Sequence, residues 1–318
     1  MTAAVAGVTG GEARRPAAAS TRGAPNGPGD APTGSVCVEV PVKDDPHLPE
    51  TIASLAAQSR RPDRILIVAT PETPEGLLEE ARRRGGEVPL DVLRVPGYVV
   101  EARQAALGSI QEATTVFLDS DESAPTGWLT ALVRPLETGE AEYTGGPTRP
   151  VRPPANSVER YVALLERSIY EELVRESVTY LPLQNTAWRT SLLRQLGFDT
   201  RLPGAEDHDL ETRAARAGHR GLFVPEAWVL NDKANVSTNF YRWARRRYRQ
   251  YLLPMAMSLL KNGALEGRLR ERRRRVRHPL AYVELAVKPV AFVHAWALWQ
   301  RLRRVEQAAS AAVSDTPG

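Results

Sequence analysis

Cysteine is almost missing from this sequence: Cys37 is the only one in 318 residues. A disulfide framework is therefore excluded within the chain, and a reducing compartment suits it. Cys37 lies inside an apolar run and reads as a small core residue. A strong charge of either sign is also missing, since the formal net charge is only +4. A signal-peptide pattern is absent too: no hydrophobic region of that length follows Arg14 and Arg15. These absences lead to the expectation of a cytoplasmic protein. No internal repeat is visible.

What is present is a chain that is 42% hydrophobic, enough to exclude disorder throughout and to allow one large domain with appendages. Residues 1–34 differ from the rest, being dominated by Ala, Gly, Pro, Ser and Thr, and are expected to form a disordered tail. From Val36 onward, strand and helix patterns alternate. Val36–Val40 reads as a strand ended by Pro41, and Leu48–Gln58 has the spacing of an amphipathic helix. Arg64–Val68 is a continuous apolar run, the pattern of a strand buried on both faces of a parallel sheet. A surface helix over 74–84, a strand over Asp91–Val95, a helix over Glu101–Ile110 and a strand over Thr114–Leu118 follow. This order predicts an α/β fold with a mixed, mainly parallel sheet flanked by helices. In such sheets ligands bind at the carboxyl ends of the strands.

The second half is less regular. The segment 145–154 reads as a long proline-rich loop, Ser157–Ser177 as a helix, and 206–217 as a helix closed by Gly218. Gly221–Pro225 reads as an edge strand.

At the carboxyl end of the fourth strand, Asp119 and Asp121 stand two residues apart, with Glu122 beside them. Such carboxylates either hold a hard cation that prefers oxygen ligands, Mg2+ or Mn2+, or cap the turn before Ser123. Glu206 and Asp207 fall at a helix start, where a carboxylate is favoured by the backbone dipole and can serve as a cap. Arg103, in the first turn of its helix, is either a phosphate fork or a solvated surface arginine.

The ordered motifs Val38-Glu-Val-Pro-Val-Lys-Asp-Asp45, Glu101-Ala-Arg-Gln-Ala105, Asp119-Ser-Asp121, Asn185-Thr-Ala-Trp-Arg189, Gly197-Phe-Asp199 and Glu206-Asp-His-Asp-Leu210 together resemble the family 2 glycosyltransferases, of the fold called GT-A. The resemblance spans about residues 35–232. It implies an inverting transfer of one sugar from a nucleotide-sugar donor to an acceptor hydroxyl. It assigns Asp207 as general base, with Glu206 orienting the acceptor or its loop. It also assigns Asp119 to the ribose, Arg103 and Pro41 to the nucleotide, and Asp121 to the metal. Two departures stand out. The family's Asp-Asp-Gly-Ser run is replaced by Ala69-Thr-Pro-Glu72, which leaves the base open, with Glu72 or Thr70 as its reader. The family's metal-binding histidine is replaced by Asn231, an amide ligand without charge. The Gln-x-x-Arg-Trp motif of processive synthases is absent, so single-sugar transfer is expected. The absence of a glycine-rich, lysine-bearing loop after the first strand argues against a nucleotidyltransferase.

Residues 233–306 read as a basic, amphipathic helical extension, and 307–318 as a second disordered tail. The Arg268–Arg277 run and the apolar stretch Pro279–Trp299 either pack as helices on the catalytic domain or meet a membrane surface through 268–304, with Tyr282, Trp296 and Trp299 as anchors. Glu284, Lys288 and His294 make a full crossing costly. No recognised nucleic-acid module accompanies the arginines, and no nucleic acid is expected as a partner. The acceptor is expected to be a lipid-linked or cell-surface glycan, or a small natural-product aglycone. A catalytically degenerate scaffold, acting as a membrane- or nucleic-acid-associated binding protein, is the competing expectation.

Overall fold

A computed structural model describes residues 34–97, 99–175, 181–231, 239–263 and 277–314. The expected tails at 1–33 and 315–318, Asp232 and most of the Arg268–Arg277 run lie outside these residues.

Three β-α units open the fold: β1 (Val36–Val42), α1 (Leu48–Ala56), β2 (Arg64–Ala69), α2 (Glu75–Gly85), β3 (Leu90–Arg94) and α3 (Val99–Leu107). Then come β4 (Thr114–Leu118), the two-residue β5 (Glu122–Ser123), α4 (Trp128–Glu137), β6 (Tyr143–Gly145) and β7 (Thr148–Pro150). The remaining elements of this part are α5 (Ser157–Arg175), β8 (Asn185–Arg189), α6 (Thr190–Leu196), α7 (Glu206–Arg216), β9 (Gly221–Phe223) and β10 (Val229–Asn231). The extension holds α8 (Phe240–Arg247), a π turn (Tyr248–Leu252), α9 (Leu253–Asn262) and α10 (Pro279–Ser314).

Seven strands form one mixed sheet in the order β3-β2-β1-β4-β8-β6-β9. The first four are parallel, β8 runs antiparallel between β4 and β6, and β9 closes the edge. Apolar side chains of β1, β2 and β4 fill cores on both faces, as continuous apolar strands require. β1 runs on through Pro41 to Val42, two residues past the expected end at Val40. Its pairing with β4 ends at Glu39, so the missing proline N–H interrupts no ladder on that side. The 145–154 segment is not all loop: it carries the end of β6 and the whole of β7.

A second sheet, in the order β5-β10-β7, borders the candidate site. β10 pairs antiparallel with β5, setting Asn231 opposite Glu122. This brings a residue from the end of the domain to the loop that carries Asp119 and Asp121.

The α10 helix continues through Ser314, beyond the expected boundary at 306. Buried Asp209 ties α7 to the extension: it accepts from Asn262 at 2.8 Å and pairs with Lys261 at 2.7 Å.

Candidate active site

The Asp119–Asp121 loop is held from beneath by α1. Thr51 Oγ1 donates to the Ser120 carbonyl at 2.7 Å, and Ser54 Oγ accepts from the Ala124 amide at 3.1 Å. The loop between β1 and α1 faces it, with Ser120 Oγ donating to Asp45 at 3.4 Å. Both loops leave the carboxyl ends of their strands, β1 and β4, the end at which ligands bind in sheets of this kind.

Arg103 is the joint of the site. Although it lies in the first turns of a helix, it is only 3% exposed, so it is not a solvated surface arginine. Its Nη1 donates to Glu206 Oε1 at 2.9 Å and its Nη2 reaches Asp119 Oδ1 at 3.5 Å. Its Nε lies 3.9 Å from Glu39 Oε1, and the guanidinium sits over the Phe117 ring. One cation therefore gathers carboxylates from β1, the β4 end and the start of α7.

Glu39 was not foreseen as a site residue. It is 1% exposed in the middle of β1, and neither carboxyl oxygen has a hydrogen-bond partner. Burial pushes its pKa up to about 8, against the pull of Arg103. The available signal was a single glutamate inside an apolar parallel strand, a position where a charge is costly unless paired.

The other carboxylates shift the same way. Burial raises Asp119 to about 6, opposed by Arg103 and reinforced by Asp121. Asp121 is also raised, by burial first, while its hydrogen bond with the Asn231 side chain opposes the shift. Glu122 is raised well above the usual carboxylate range by burial and by its aspartate neighbours. Thr148 Oγ1 donates to its Oε1 at 3.1 Å. Glu206 is raised by burial, with Arg103 opposing. Such crowding of like charges is costly for a fold and common where ions or reacting groups bind.

Glu206 and Asp207 open α7 behind Ala205, whose φ of 56° is the only positive value at a non-glycine among the described residues. A left-handed alanine is strained, and such strain clusters at functional sites. Asp207 accepts from the His208 amide at 2.6 Å. His208 is buried against Ser258 Oγ at 2.9 Å, and Asp209 is consumed by Arg213, Lys261 and Asn262, so both are structural.

Pro41 lies half-buried at the end of β1, beside Val68. The neighbouring 70–73 turn is laced by Arg94, whose Nη1 donates to the carbonyls of Thr70 (3.2 Å) and Thr73 (3.1 Å). Thr70 Oγ1 and Thr73 Oγ1 are 3.3 Å apart, and Glu72 is exposed.

The expected metal residues, Asp121 and Asn231, are brought together. Among the described residues, no three or more His, Cys, Asp or Glu side chains converge as a metal cage. The Asp121 carboxylate fits a small hard cation whose remaining ligands are substrate phosphates and water, and Asn231 would add its amide oxygen on turning its N–H away from the hydrogen bond it now makes to Asp121.

The chain matches the model described as glycosyltransferase like family 2 over residues 35–252. It is 29% identical over 216 residues to the succinoglycan biosynthesis protein ExoM of Rhizobium meliloti (strain 1021), covering 64% of this chain and 69% of that protein. It is 29% identical over 152 residues to the pre-mycofactocin glycosyltransferase of Mycobacterium tuberculosis (strain CDC 1551 / Oshkosh), covering 46% of this chain but only 32% of that protein. Its fold is similar to the mannosyltransferase PcManGT of Pyrobaculum calidifontis, solved with GDP-Man and Mn2+, with a TM-score of 0.52, 19% identity, and 88% and 80% of the two chains covered. It is also similar to the glucosyl-3-phosphoglycerate synthase of Mycobacterium tuberculosis, solved with Mn2+, UDP and phosphoglyceric acid, with a TM-score of 0.51, 18% identity, and 72% and 78% covered. Matched by that family's model over more than half of its length, this chain belongs to glycosyltransferase family 2 and is a glycosyltransferase.

Proposed function

We propose that this enzyme moves a single sugar from a nucleotide-sugar donor to an acceptor hydroxyl with inversion, using Asp207 as general base. The observation that carries the reading is Arg103, which joins Asp119 on the donor loop to Glu206 on the base-bearing helix. A shared buried joint holds the two halves of a displacement reaction in one geometry, and that is where much of such a rate enhancement originates.

In this reading Asp119 accepts from the donor's ribose, while Pro41 and the 70–73 turn flank the nucleoside. Asp121 and Asn231 would hold Mg2+ or Mn2+. The ion, when bound, supplies positive charge against the leaving diphosphate. Asp207 takes the proton of the acceptor hydroxyl as that oxygen bonds to the anomeric carbon and the bond to the diphosphate breaks. Glu206, held by Arg103, orients the acceptor or its loop. Glu39 acts through Arg103 as a positioning residue.

The acceptor is a lipid-linked or cell-surface glycan, or a natural-product aglycone. A cytoplasmic location with peripheral membrane contact through 268–304 belongs to the same reading, supported by the one buried cysteine and by α10. Proton NMR of the reaction tests the stereochemistry: an α-linked donor should give a β-linked product. A product that keeps the donor's configuration would overturn the role of Asp207.

A further inference from the structure

The α10 helix is apolar on two opposite faces, and only one of them is covered. Glu284, Ala291 and Ala295 are buried. Glu284 pairs with Arg247 at 2.5 Å, and Ala295 packs in a cluster with Leu202, Leu253 and Met257. At about 3.6 residues per turn, Tyr282, Leu285, Pro289, Val290, Val293 and Trp296 fall on the far side. All six are exposed, with Tyr282 at 68%, Val293 at 66% and Trp296 at 53%. Lys288 and His294 lie toward the flanks of this stripe, and no charged side chain interrupts it from Tyr282 to Trp296. Beyond the stripe come exposed Arg301, Arg303 and Arg304.

We propose that this outward face of α10 lies in the surface of an anionic lipid bilayer. The proposal extends the membrane-contact part of the proposed function and rests on no step of the transfer chemistry. Charge complementarity selects the occupant. Arginines close the stripe at one end, and the neighbouring α8 presents exposed Arg242, Arg245 and Arg246 beside exposed Phe240 and Tyr241. Tyrosine and tryptophan at the two ends of the stripe suit the boundary between headgroups and acyl chains, while arginines meet lipid phosphates.

Pro279–Ala308 is long and apolar enough to cross a membrane by length and composition alone. A crossing would strip away the packing around Ala295 and leave the Glu284–Arg247 pair in hydrocarbon, at high cost. A helix lying in the interface keeps both, with its free face in lipid and its covered face on the enzyme.

Flotation of the full-length chain with phosphatidylcholine vesicles, with and without about 30 mol% phosphatidylglycerol, tests this. Binding to the anionic vesicles should exceed binding to the neutral ones by roughly tenfold or more at low salt. Val293→Glu, at an exposed position that leaves the covered face intact, should reduce anionic-vesicle binding by a similar factor. Its hydrolysis of the donor and its melting temperature should stay unchanged. Absence of binding by the folded wild type, or undiminished binding by Val293→Glu, would overturn the proposal. So would a wild-type dimer by light scattering that Val293→Glu converts to monomer, since a second copy would then cover the stripe. Donor hydrolysis is read on the same samples, so failure of the lipid proposal leaves the transferase reading standing, and loss of hydrolysis leaves the vesicle result intact.

Discussion

The α/β domain and the helical extension use charge in opposite ways. In the domain, carboxylates from three elements turn inward onto Arg103, while the large apolar side chains exposed among its described residues are only Val151 and Leu164. In the extension, arginines turn outward among exposed Phe240, Tyr241, Tyr251, Tyr282, Val293 and Trp296. Inward charge is costly and persists where chemistry uses it. Outward apolar surface is costly in water and persists where a partner covers it. In the reading proposed above, reaction belongs to one region and membrane contact to the other.

That division can be broken by any variant that crosses it. Asp207→Asn should lower kcat by roughly 10²–10⁴-fold, the usual worth of a general base, with donor affinity nearly unchanged and vesicle binding untouched. A loss of vesicle binding in parallel would tie the two regions together. Arg103→Met should destabilise the domain by about 3–5 kcal/mol in urea unfolding, since it leaves Glu39, Asp119 and Glu206 without their cation. A small effect would mean that those carboxylates are neutral as they stand.

Glu39→Gln separates these cases by pH. A carboxyl raised in the folded state binds its proton more tightly there than in the unfolded chain. Its ionisation therefore takes stability away as pH rises from the unfolded value near 4.5 toward about 8. Asp119 acts in the same direction up to about 6. Wild type should lose melting temperature relative to Glu39→Gln across that window, the gap growing with pH. A gap independent of pH would mean that Glu39 does not titrate there. The smallest expected effect belongs to Arg94→Ala, which frees the 70–73 turn. It should cost about 1 kcal/mol or less in stability and raise the KM for donor more than it lowers kcat.

Much of this was legible in the residue order. β2 announces itself because a strand buried on both faces is continuously apolar, and the expected strand Thr114–Leu118 matches β4 residue for residue. The α7 helix ends at Arg216, and Gly218 follows with φ of 85°, the conformation a helix-stopping glycine supplies. α4 was missed because Pro135 interrupts its pattern. β8 was missed because Asn185-Thr-Ala-Trp-Arg189 has no strand alternation; Asn185 is buried by bonding Trp128 Nε1 at 2.9 Å and the Ala227 carbonyl at 2.9 Å. Asp119, Asp121, Glu206 and Asp207 could be named from their motifs. The convergence of Asp119 and Glu206 on Arg103, and the part Glu39 takes in it, depend on contacts between distant segments that no local pattern encodes.

Calorimetric titration of a panel of nucleotide diphosphates and their sugars, with and without Mn2+, bears most directly on the transferase reading. The account predicts metal-dependent binding of one nucleotide class that is lost in Asp121→Ala and kept in Asp207→Asn. No binding across the panel by a folded sample would contradict it, and would leave a degenerate scaffold with the extension as its working part.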